Sequence, residues 1–209
     1  MRIAREGYPL ILVPAVVMVV AFGLGWTAIG IVLALVTFAV AAFFRDPERE
    51  IPTGDGLLVS PADGKVVSIA EVKGNPMFSD AVTRVSIFLS PLDVHINRAP
   101  VAGKVEEVAY RAGKFLAAYK EEASRVNEQN ALKIVDQNGK SFGVVQIAGV
   151  MARRIVCRAK RGESLARGER FGLIMFGSRT DAYLPKGWRV EVKEGDRVKG
   201  GESILGRFQ

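Results

Sequence analysis

The sequence predicts a mainly β (α+β) fold with a helical hairpin placed before it at the N-terminus. Residues 8–44 contain no Asp, Glu, Lys or Arg, although 24% of the 209 residues are charged. After residue 44, short runs rich in β-branched side chains alternate with Gly, Pro, Asp and Asn, a pattern typical of strands joined by turns. We therefore predict two regions, a hairpin over residues 1–44 and a folded domain over residues 45–209.

The uncharged stretch is longer than one transmembrane helix, which needs about 20 residues. Gly23 and Gly25 lie near its middle and predict a break. We therefore expect short helices over residues 8–23 and 27–44, forming a transmembrane hairpin or one that re-enters the membrane from one side. A cleaved signal peptide is the alternative, but the stretch is too long for its apolar region and lacks a small-residue cleavage pattern.

Basic residues flank this hairpin on both sides. Because Lys and Arg favour the cytoplasmic side, we predict an even number of crossings, with the folded domain in the cytoplasm at the cell (inner) membrane. The net charge of +7 favours an anionic partner, and beside an apolar hairpin the simpler partner is anionic lipid, with no nucleic acid expected. The flanking residues are Arg2, Arg5, Arg45 and Arg49.

The chain contains one cysteine, Cys157, and one histidine, His95. A disulfide within the chain is therefore excluded, which fits a reducing compartment. Zinc sites built from several His or Cys side chains are excluded as well, and no metal is expected.

The folded domain contains seven predicted strands. Gln137-Asn138-Gly139-Lys140 separates two of them and predicts a hairpin, because Asn-Gly fits a type I′ turn. Residues 116–130 are the best helix candidate outside the N-terminal hairpin. The strands are predicted over residues 57–60, 65–72, 84–89, 103–111, 132–136, 141–148 and 154–159.

The C-terminal residues 188–206 contain a valine-rich strand, a Gly-Asp turn, a Gly-Gly pair and a second strand. This order resembles the hammerhead of lipoyl and biotinyl domains. Residues 60–66 have a similar pattern near the start of the domain. Two such pieces predict a hammerhead-like β-sandwich that is closed by segments distant in the chain.

Two segments contain candidates for acid–base chemistry. His95 lies in a Pro-bounded polar segment and is either structural or a base, since histidine alone has an ordinary pKa near neutral pH. Asp63 precedes Gly64, so it either forms a turn or provides a carboxylate that orients a nearby base.

Two further segments are open to two interpretations. The basic residues within 152–162 form either the solvated face of a strand or a phosphate-facing surface. Gly177-Ser178 follows an apolar run and, taken alone, is more typical of a turn after a buried strand than of a reactive site.

Seven short elements, each weak alone, form a specific set because of their order. They are Phe44-Arg45-Asp46-Pro47, Pro61-Ala62-Asp63-Gly64, Leu89-Ser90-Pro91, Asp93-Val94-His95, Gly113-Lys114-Phe115, Asn127-Glu128 and Phe176-Gly177-Ser178. From about Arg45 to the C-terminus, the set resembles the short form of the pyruvoyl-dependent phosphatidylserine decarboxylases.

The resemblance implies a zymogen that cuts itself between Gly177 and Ser178. Ser178 would then become the pyruvoyl cofactor (pyruvate), at the start of an α chain of residues 178–209. The β chain, residues 1–177, would stay bound to it as a heterodimer held by strand pairing, and assembly beyond that heterodimer is left open.

The implied activity is that of a lyase of phospholipid biosynthesis, converting phosphatidylserine to phosphatidylethanolamine at the membrane. By the resemblance, His95 is the base in cleavage, the proton donor after CO2 loss, or both, and Asp63 holds and polarises it. Longer relatives have a second histidine at the position of Arg98. Because arginine stays protonated, it cannot replace that histidine as a base, so the division of roles stays open.

Two alternatives remain at this stage. The same chemistry could act on another serine lipid, such as archaetidylserine. A non-catalytic, membrane-anchored lipoyl-like module would explain the tail, but Lys199 stands beside Gly200-Gly201 and not in the Met-Lys pair used for cofactor attachment.

Overall fold

The computed structural model describes residues 2–73, 77–78, 81–119, 122–150, 154–175 and 177–208. The chain divides into two compact units, Met1–Glu48 and Arg49–Gln209. Each unit is described by itself.

The first unit is a pair of apolar helices. Helix α1 covers Gly7–Gly23 and α2 covers Thr27–Phe43, and the chain reverses between them through Gly25, whose φ is +76°. The helices pack against each other, and strands β1 (Arg2–Ile3) and β2 (Arg45–Asp46) pair antiparallel at their open ends. The predicted helical hairpin is therefore present.

The prediction that this hairpin spans the membrane is not supported. In the described part of the chain, no helix has the length and apolar character that a membrane crossing needs. Each of the two helices has 17 residues. At 1.5 Å per residue that is about 25 Å, short of a hydrocarbon core of about 30 Å.

The second unit is built on one eight-stranded antiparallel sheet, ordered β11-β7-β8-β9-β13-β5-β4-β15. Its strands alternate side chains between two faces, and one face of the curled sheet contributes to the main apolar core. The strands are β4 (Gly64–Val72), β5 (Val82–Leu89), β7 (Gly103–Arg111), β8 (Gln129–Val135), β9 (Ser141–Ile147), β11 (Ser164–Leu165), β13 (Ser178–Leu184) and β15 (Arg197–Val198).

Two three-stranded sheets complete the unit, ordered β10-β12-β6 and β14-β16-β3. The mainly β class is confirmed, but the large sheet is a curled half-barrel where the sequence predicted a β-sandwich. The remaining strands are β3 (Leu57–Val59), β6 (Ile96–Arg98), β10 (Arg154–Cys157), β12 (Arg170–Met175), β14 (Trp188–Val190) and β16 (Ile204–Phe208).

Segments from the two ends of this unit close it, as predicted. Strand β15 pairs with β4, and β16 lies between β14 and β3. Between these pairings, the Ser60 N–H donates to the Ser203 carbonyl at 2.8 Å, and the Gly201 N–H donates to the Ser60 carbonyl at 2.8 Å. The hammerhead-like tail is thus held by the similar segment that follows β3.

The prediction of a helix over residues 116–130 is wrong for the described residues, of which only Ala123–Val126 (α3) is helical. Strand β8 begins at Gln129, and it pairs with β7 on one side and with β9 on the other. Two rows of strand hydrogen bonds outweigh the helix propensity of an Ala- and Glu-rich run. The hairpin at Asn138-Gly139 is confirmed, and Gly139 has a φ of +73°.

Candidate active site

Ser178 is the first residue of β13, a central strand of the large sheet whose seven residues are all buried. It pairs with Leu89 at the end of β5. Its hydroxyl is fully buried, and within the described part of the chain no group hydrogen-bonds to it. A buried hydroxyl without a partner carries a desolvation cost of about 1–3 kcal/mol, which makes a purely structural role for Ser178 a poor explanation.

The peptide bond before Ser178 has an unusual backbone. Gly177 has a φ of +58°, in the left-handed region that side chains disfavour. Its carbonyl oxygen lies against the backbone of Gly149, where a Cβ built on Gly149 would be only 2.2 Å from that oxygen. Phe176, which precedes this bond, lies outside the described residues.

His95 is buried, with 2% of its surface exposed. Its Nδ1 lies 2.9 Å from the carbonyl oxygen of Asp93. Because a carbonyl only accepts hydrogen bonds, Nδ1 carries the proton in this contact. In the neutral ring Nε2 is then the basic nitrogen, which is the form that a general base needs.

Strand pairing brings the His95 loop and the Gly177-Ser178 bond to the same end of the sheet. Ser178 pairs with Leu89, which begins the loop leading to His95. Four residues before Ser178, the Ile174 N–H donates to the His95 carbonyl at 3.4 Å. The two ends of the segment 89–95 therefore lie beside Ser178 and Ile174.

Asp63 is held by contacts from two segments. Arg49 donates to both of its carboxylate oxygens, at 2.8 and 3.0 Å, and the Gly200 N–H donates at 2.7 Å. Burial raises the pKa of the Asp63 carboxyl above its ordinary value, against the lowering effect of Gly200 and Arg49. The structure thus places Asp63 at the junction of β4 with the C-terminal tail.

The carboxylate of Asp93 was missed by the sequence interpretation, although its residue was part of the ordered set. It accepts hydrogen bonds from the Ser90 N–H at 2.8 Å and the Ser90 hydroxyl at 2.7 Å, and it pairs with Arg197. Its main-chain carbonyl fixes His95. Asp93 therefore shapes the histidine loop, a role that only its position two residues before His95 hinted at.

A neutral polar network lies on the same face of β13 as Ser178. The Asn97 amide donates to the Thr180 hydroxyl at 3.1 Å, and the Gln146 amide donates to the Asn97 carbonyl oxygen at 2.9 Å. All three side chains are fully buried. Nothing in the sequence indicated this network, because its members come from three separate strands.

An ionic network lies on the opposite face of β13. Arg179 donates to both carboxylate oxygens of Asp181, at 2.6 and 3.1 Å, and to the Ser86 hydroxyl at 2.7 Å. The Ser124 hydroxyl donates to Asp181 at 3.1 Å. The two charged residues in the run after Ser178 could have indicated this network from the sequence, but no prediction was based on them.

The other predicted residues lie as follows. Arg98 is buried in β6 and donates to the Gly168 carbonyl at 2.9 Å. Within the basic segment 152–162, residues 152 and 153 lie outside the described part of the chain, and the strand β10 begins with the exposed Arg154. The strand interpretation of that segment is therefore confirmed for Arg154–Cys157, and the phosphate-facing interpretation stays a prediction.

Comparison with known proteins shows the family to which the chain belongs. A sequence model of the phosphatidylserine decarboxylase family matches residues 36–206. A phosphatidylserine decarboxylase proenzyme of Syntrophus aciditrophicus is 44% identical over 99% of this chain and 97% of its own length. Those of Symbiobacterium thermophilum and Nitrosomonas eutropha are 48% and 46% identical, each over 99% of this chain and 95% of the relative. The chain belongs to the phosphatidylserine decarboxylase family.

Proposed function

We propose that the chain is a proenzyme that cuts itself between Gly177 and Ser178 and then decarboxylates phosphatidylserine to phosphatidylethanolamine. The observation that carries this proposal is the Ser178 hydroxyl, fully buried and without a hydrogen-bond partner among the described residues. It directly follows a glycine with a φ of +58°, so the bond before it has a backbone that an ordinary strand lacks.

Self-cleavage needs only groups of the chain and water. Ser178 Oγ attacks the Gly177 carbonyl carbon, the peptide C–N bond breaks, and the hydroxyl proton passes to the amide nitrogen, leaving an ester. Removal of the Ser178 α-proton then expels the upstream chain as a carboxylate. Hydrolysis of the resulting dehydroalanine releases ammonia and leaves a pyruvoyl group at the new N-terminus.

The surroundings of Ser178 fit such a group. Loss of CO2 from an amino acid leaves negative charge on Cα, and a pyruvoyl group at this position supplies the electron sink for it. Pairing with Leu89 and the networks on both faces of β13 hold this residue in place.

His95 is the proposed proton carrier of the site. With Nδ1 donating to the Asp93 carbonyl, Nε2 carries the basic lone pair of the neutral ring, and it is the proposed atom to remove the Ser178 α-proton or, once protonated, to return a proton after CO2 loss. Arg98 donates to a main-chain carbonyl, and as an arginine it stays protonated. One histidine is therefore proposed to serve both steps. Its ring is held by the Asp93 carbonyl, and Asp63 is held by Arg49 and Gly200, so the support of His95 by Asp63 stays a prediction of the family resemblance.

The two chains produced by the cut are proposed to remain one heterodimer. Strand β13 would belong to the α chain, and it lies between β5 and β9 of the β chain. Ion pairs among the described residues join the same chains: Asp93 with Arg197, Arg49 with Glu202, and Arg84 with Asp181. No covalent link is needed to hold an α chain that is paired in this way.

We further propose that the enzyme works at the cytoplasmic face of the cell (inner) membrane, where its lipid substrate is found. Many large apolar side chains of α1 and α2 are exposed, and contiguous exposed apolar surface favours contact with lipid. Arginines lie at both ends of the hairpin, as expected for a segment next to an anionic leaflet. A hairpin that enters and leaves the membrane on the same side is the proposed alternative to a crossing.

Mass spectrometry of the purified protein tests the cut, its position and the prosthetic group together. We expect two fragments, one ending at Gly177 and one beginning with a pyruvoyl group, and conversion of phosphatidylserine in mixed micelles. Ser178→Ala should remain one inactive chain. A wild-type protein that stays a single species of 22.6 kDa would contradict the proposal, and so would a cut Ser178→Ala protein.

A further inference from the structure

The Gly177 carbonyl lies in a recess whose walls are remote in sequence from Ser178. One wall is Gly149, just after β9, where an added Cβ would lie 2.2 Å from the Gly177 oxygen. The other is Ala118, whose Cβ would lie 3.2 Å from that same added atom. Both residues are buried, and Gly177 itself is partly buried.

Position 149 needs a glycine because of a close contact with the Gly177 carbonyl, and not because of its backbone conformation. Unlike Gly177, Gly149 is not in the left-handed region, so another residue could adopt its backbone. What excludes a Cβ is the Gly177 carbonyl itself, which is main chain and cannot rotate away as a side chain can. Any side chain at position 149 must therefore displace the carbonyl of the proposed scissile bond.

Asn127 ties the two walls together. Its amide donates to the Leu116 carbonyl at 2.8 Å and to the Ala148 carbonyl at 2.7 Å, and its Oδ1 accepts the Leu116 N–H at 2.9 Å. The side chain is fully buried, so none of these bonds is shared with solvent. Asn127 thus connects the loop containing Ala118 to the strand end containing Gly149.

The same region contains two short elements of the ordered set, Gly113-Lys114-Phe115 and Asn127-Glu128, for which the sequence predicted no role. Strand-like bonds join Lys114 to Val126 and Glu128, at 2.7 and 3.0 Å. Gly113 packs so closely on this segment that an added Cβ would lie 2.4 Å from the Asn127 carbonyl carbon. Gly113-Lys114-Phe115 and Asn127-Glu128 therefore form one structure, and it supports the recess.

We propose that Gly149 and Asn127 are positioning residues for self-cleavage, forming and bracing the recess that holds the Gly177 carbonyl for attack by Ser178. The inference rests on the proposed self-cleavage and deepens it. It concerns the first step, in which the Oγ–C bond forms and the C–N bond breaks. A Cβ at position 149 must move the carbonyl by about 1 Å, and a misplacement of that size costs on the order of 100-fold in rate.

The test follows cleavage of the full-length chain after cell-free synthesis, by intact mass. Gly103→Ala is the matched control for Gly149→Ala, because its added Cβ would also meet a main-chain oxygen, that of Val135 at 2.4 Å, with no left-handed φ. We expect wild type and Gly103→Ala to be cut, and Gly149→Ala to be cut about 100-fold more slowly while melting close to Gly103→Ala.

Hydroxylamine identifies the blocked step, because it cleaves esters readily, whereas among peptide bonds it attacks mainly Asn-Gly, here Asn138-Gly139. The diagnostic fragment is therefore the one that ends at Gly177, and we expect none from Gly149→Ala, since the ester does not form. Release of the β chain by hydroxylamine would overturn the proposal, as would cleavage of Gly149→Ala at the wild-type rate or equal loss of cleavage in Gly103→Ala. If the wild type itself is not cut, it is the proposed function that fails.

Asn127→Asp provides a second, independent test of the proposal if Gly149→Ala does not fold. It keeps the acceptor for the Leu116 N–H and removes both donated bonds, so the recess loses its brace with little change in shape. We expect slower cleavage that hydroxylamine does not restore. A folded Asn127→Asp protein that is cut at the wild-type rate overturns the proposal, and so does loss of folding in both variants, because the contacts would then be purely structural.

Discussion

The two faces of β13 differ in how they hold the residue that the proposed cut exposes. On the face of Ser178, the polar groups are neutral amides and hydroxyls, and the strand continues into the apolar core at Ala182. On the other face, Arg179 and Asp181 form a buried ion pair. Ser178 thus has neutral neighbours along its own face of β13. The charged groups that hold the strand, Arg179 and Asp181, lie on the opposite face.

This division has a chemical consequence. A fixed charge beside Ser178 would favour or oppose each charged species of the reaction, whereas neutral hydrogen bonds orient groups without that bias. A buried pair whose charges are satisfied gives positional specificity, and removal of one partner is costly. The comparison therefore predicts that the ionic face controls stability more strongly than the neutral face.

Loss of Asp181 should have the largest effect. Asp181→Ala leaves the guanidinium of Arg179, 1% exposed, without its carboxylate. We expect the free energy of unfolding to fall by about 3–5 kcal/mol, measured by urea unfolding in the uncut Ser178→Ala background. Glu191→Ala is the matched control, since Arg189 and Glu191 have the same spacing and a 2.6 Å contact but are much more exposed. Its cost should stay below about 1 kcal/mol, and an equal loss in both variants would break the comparison.

Truncation on the neutral face should cost less. Asn97→Ala removes the donor to Thr180 and the acceptor for Gln146, leaving neutral groups unsatisfied. We expect a loss of about 1–3 kcal/mol in the same unfolding assay. A loss as large as that of Asp181→Ala would show that charge is not what distinguishes the two faces.

The smallest effect should be seen at Asp63, as a change in pH dependence. Because its folded pKa is raised, the folded state binds this proton more tightly than the unfolded chain does. Its contribution to stability is present below the unfolded pKa of about 3.9 and is lost as pH rises through the folded value. The unfolding free energy of wild type relative to Asp63→Asn, both in the Ser178→Ala background, should therefore fall as pH rises above about 4. A difference that stays constant or grows with pH would contradict the raised pKa.

Sequence reasoning succeeded where the signal is local. Alternation and turn residues predicted most strands, and Asn138-Gly139 marked a hairpin correctly. It failed over residues 116–130, where Ala and Glu indicated a helix. There the chain satisfies main-chain groups through the Asn127 side chain, which bonds to Leu116, and through the pairing of β8 with β7, contacts that helix propensity does not include.

The candidate site divides in the same way. From the sequence alone, an ordered set of short elements identified Gly177-Ser178, His95 and Asp63 as candidates, and the single histidine limited the choice of base. The tertiary structure decided what surrounds each of them: Arg49 on Asp63, the Asp93 carbonyl on His95, and Gly149 on the Gly177 carbonyl.

The physical reason is the range of the interactions. Residue type and turn preference act over a few neighbouring residues, so a sequence displays them directly. Hydrogen bonds such as those of Asn97 with Thr180 and Arg179 with Ser86 join residues 83 and 93 positions apart. Their existence depends on strand order and register, which determine the side chains that meet inside the sheet.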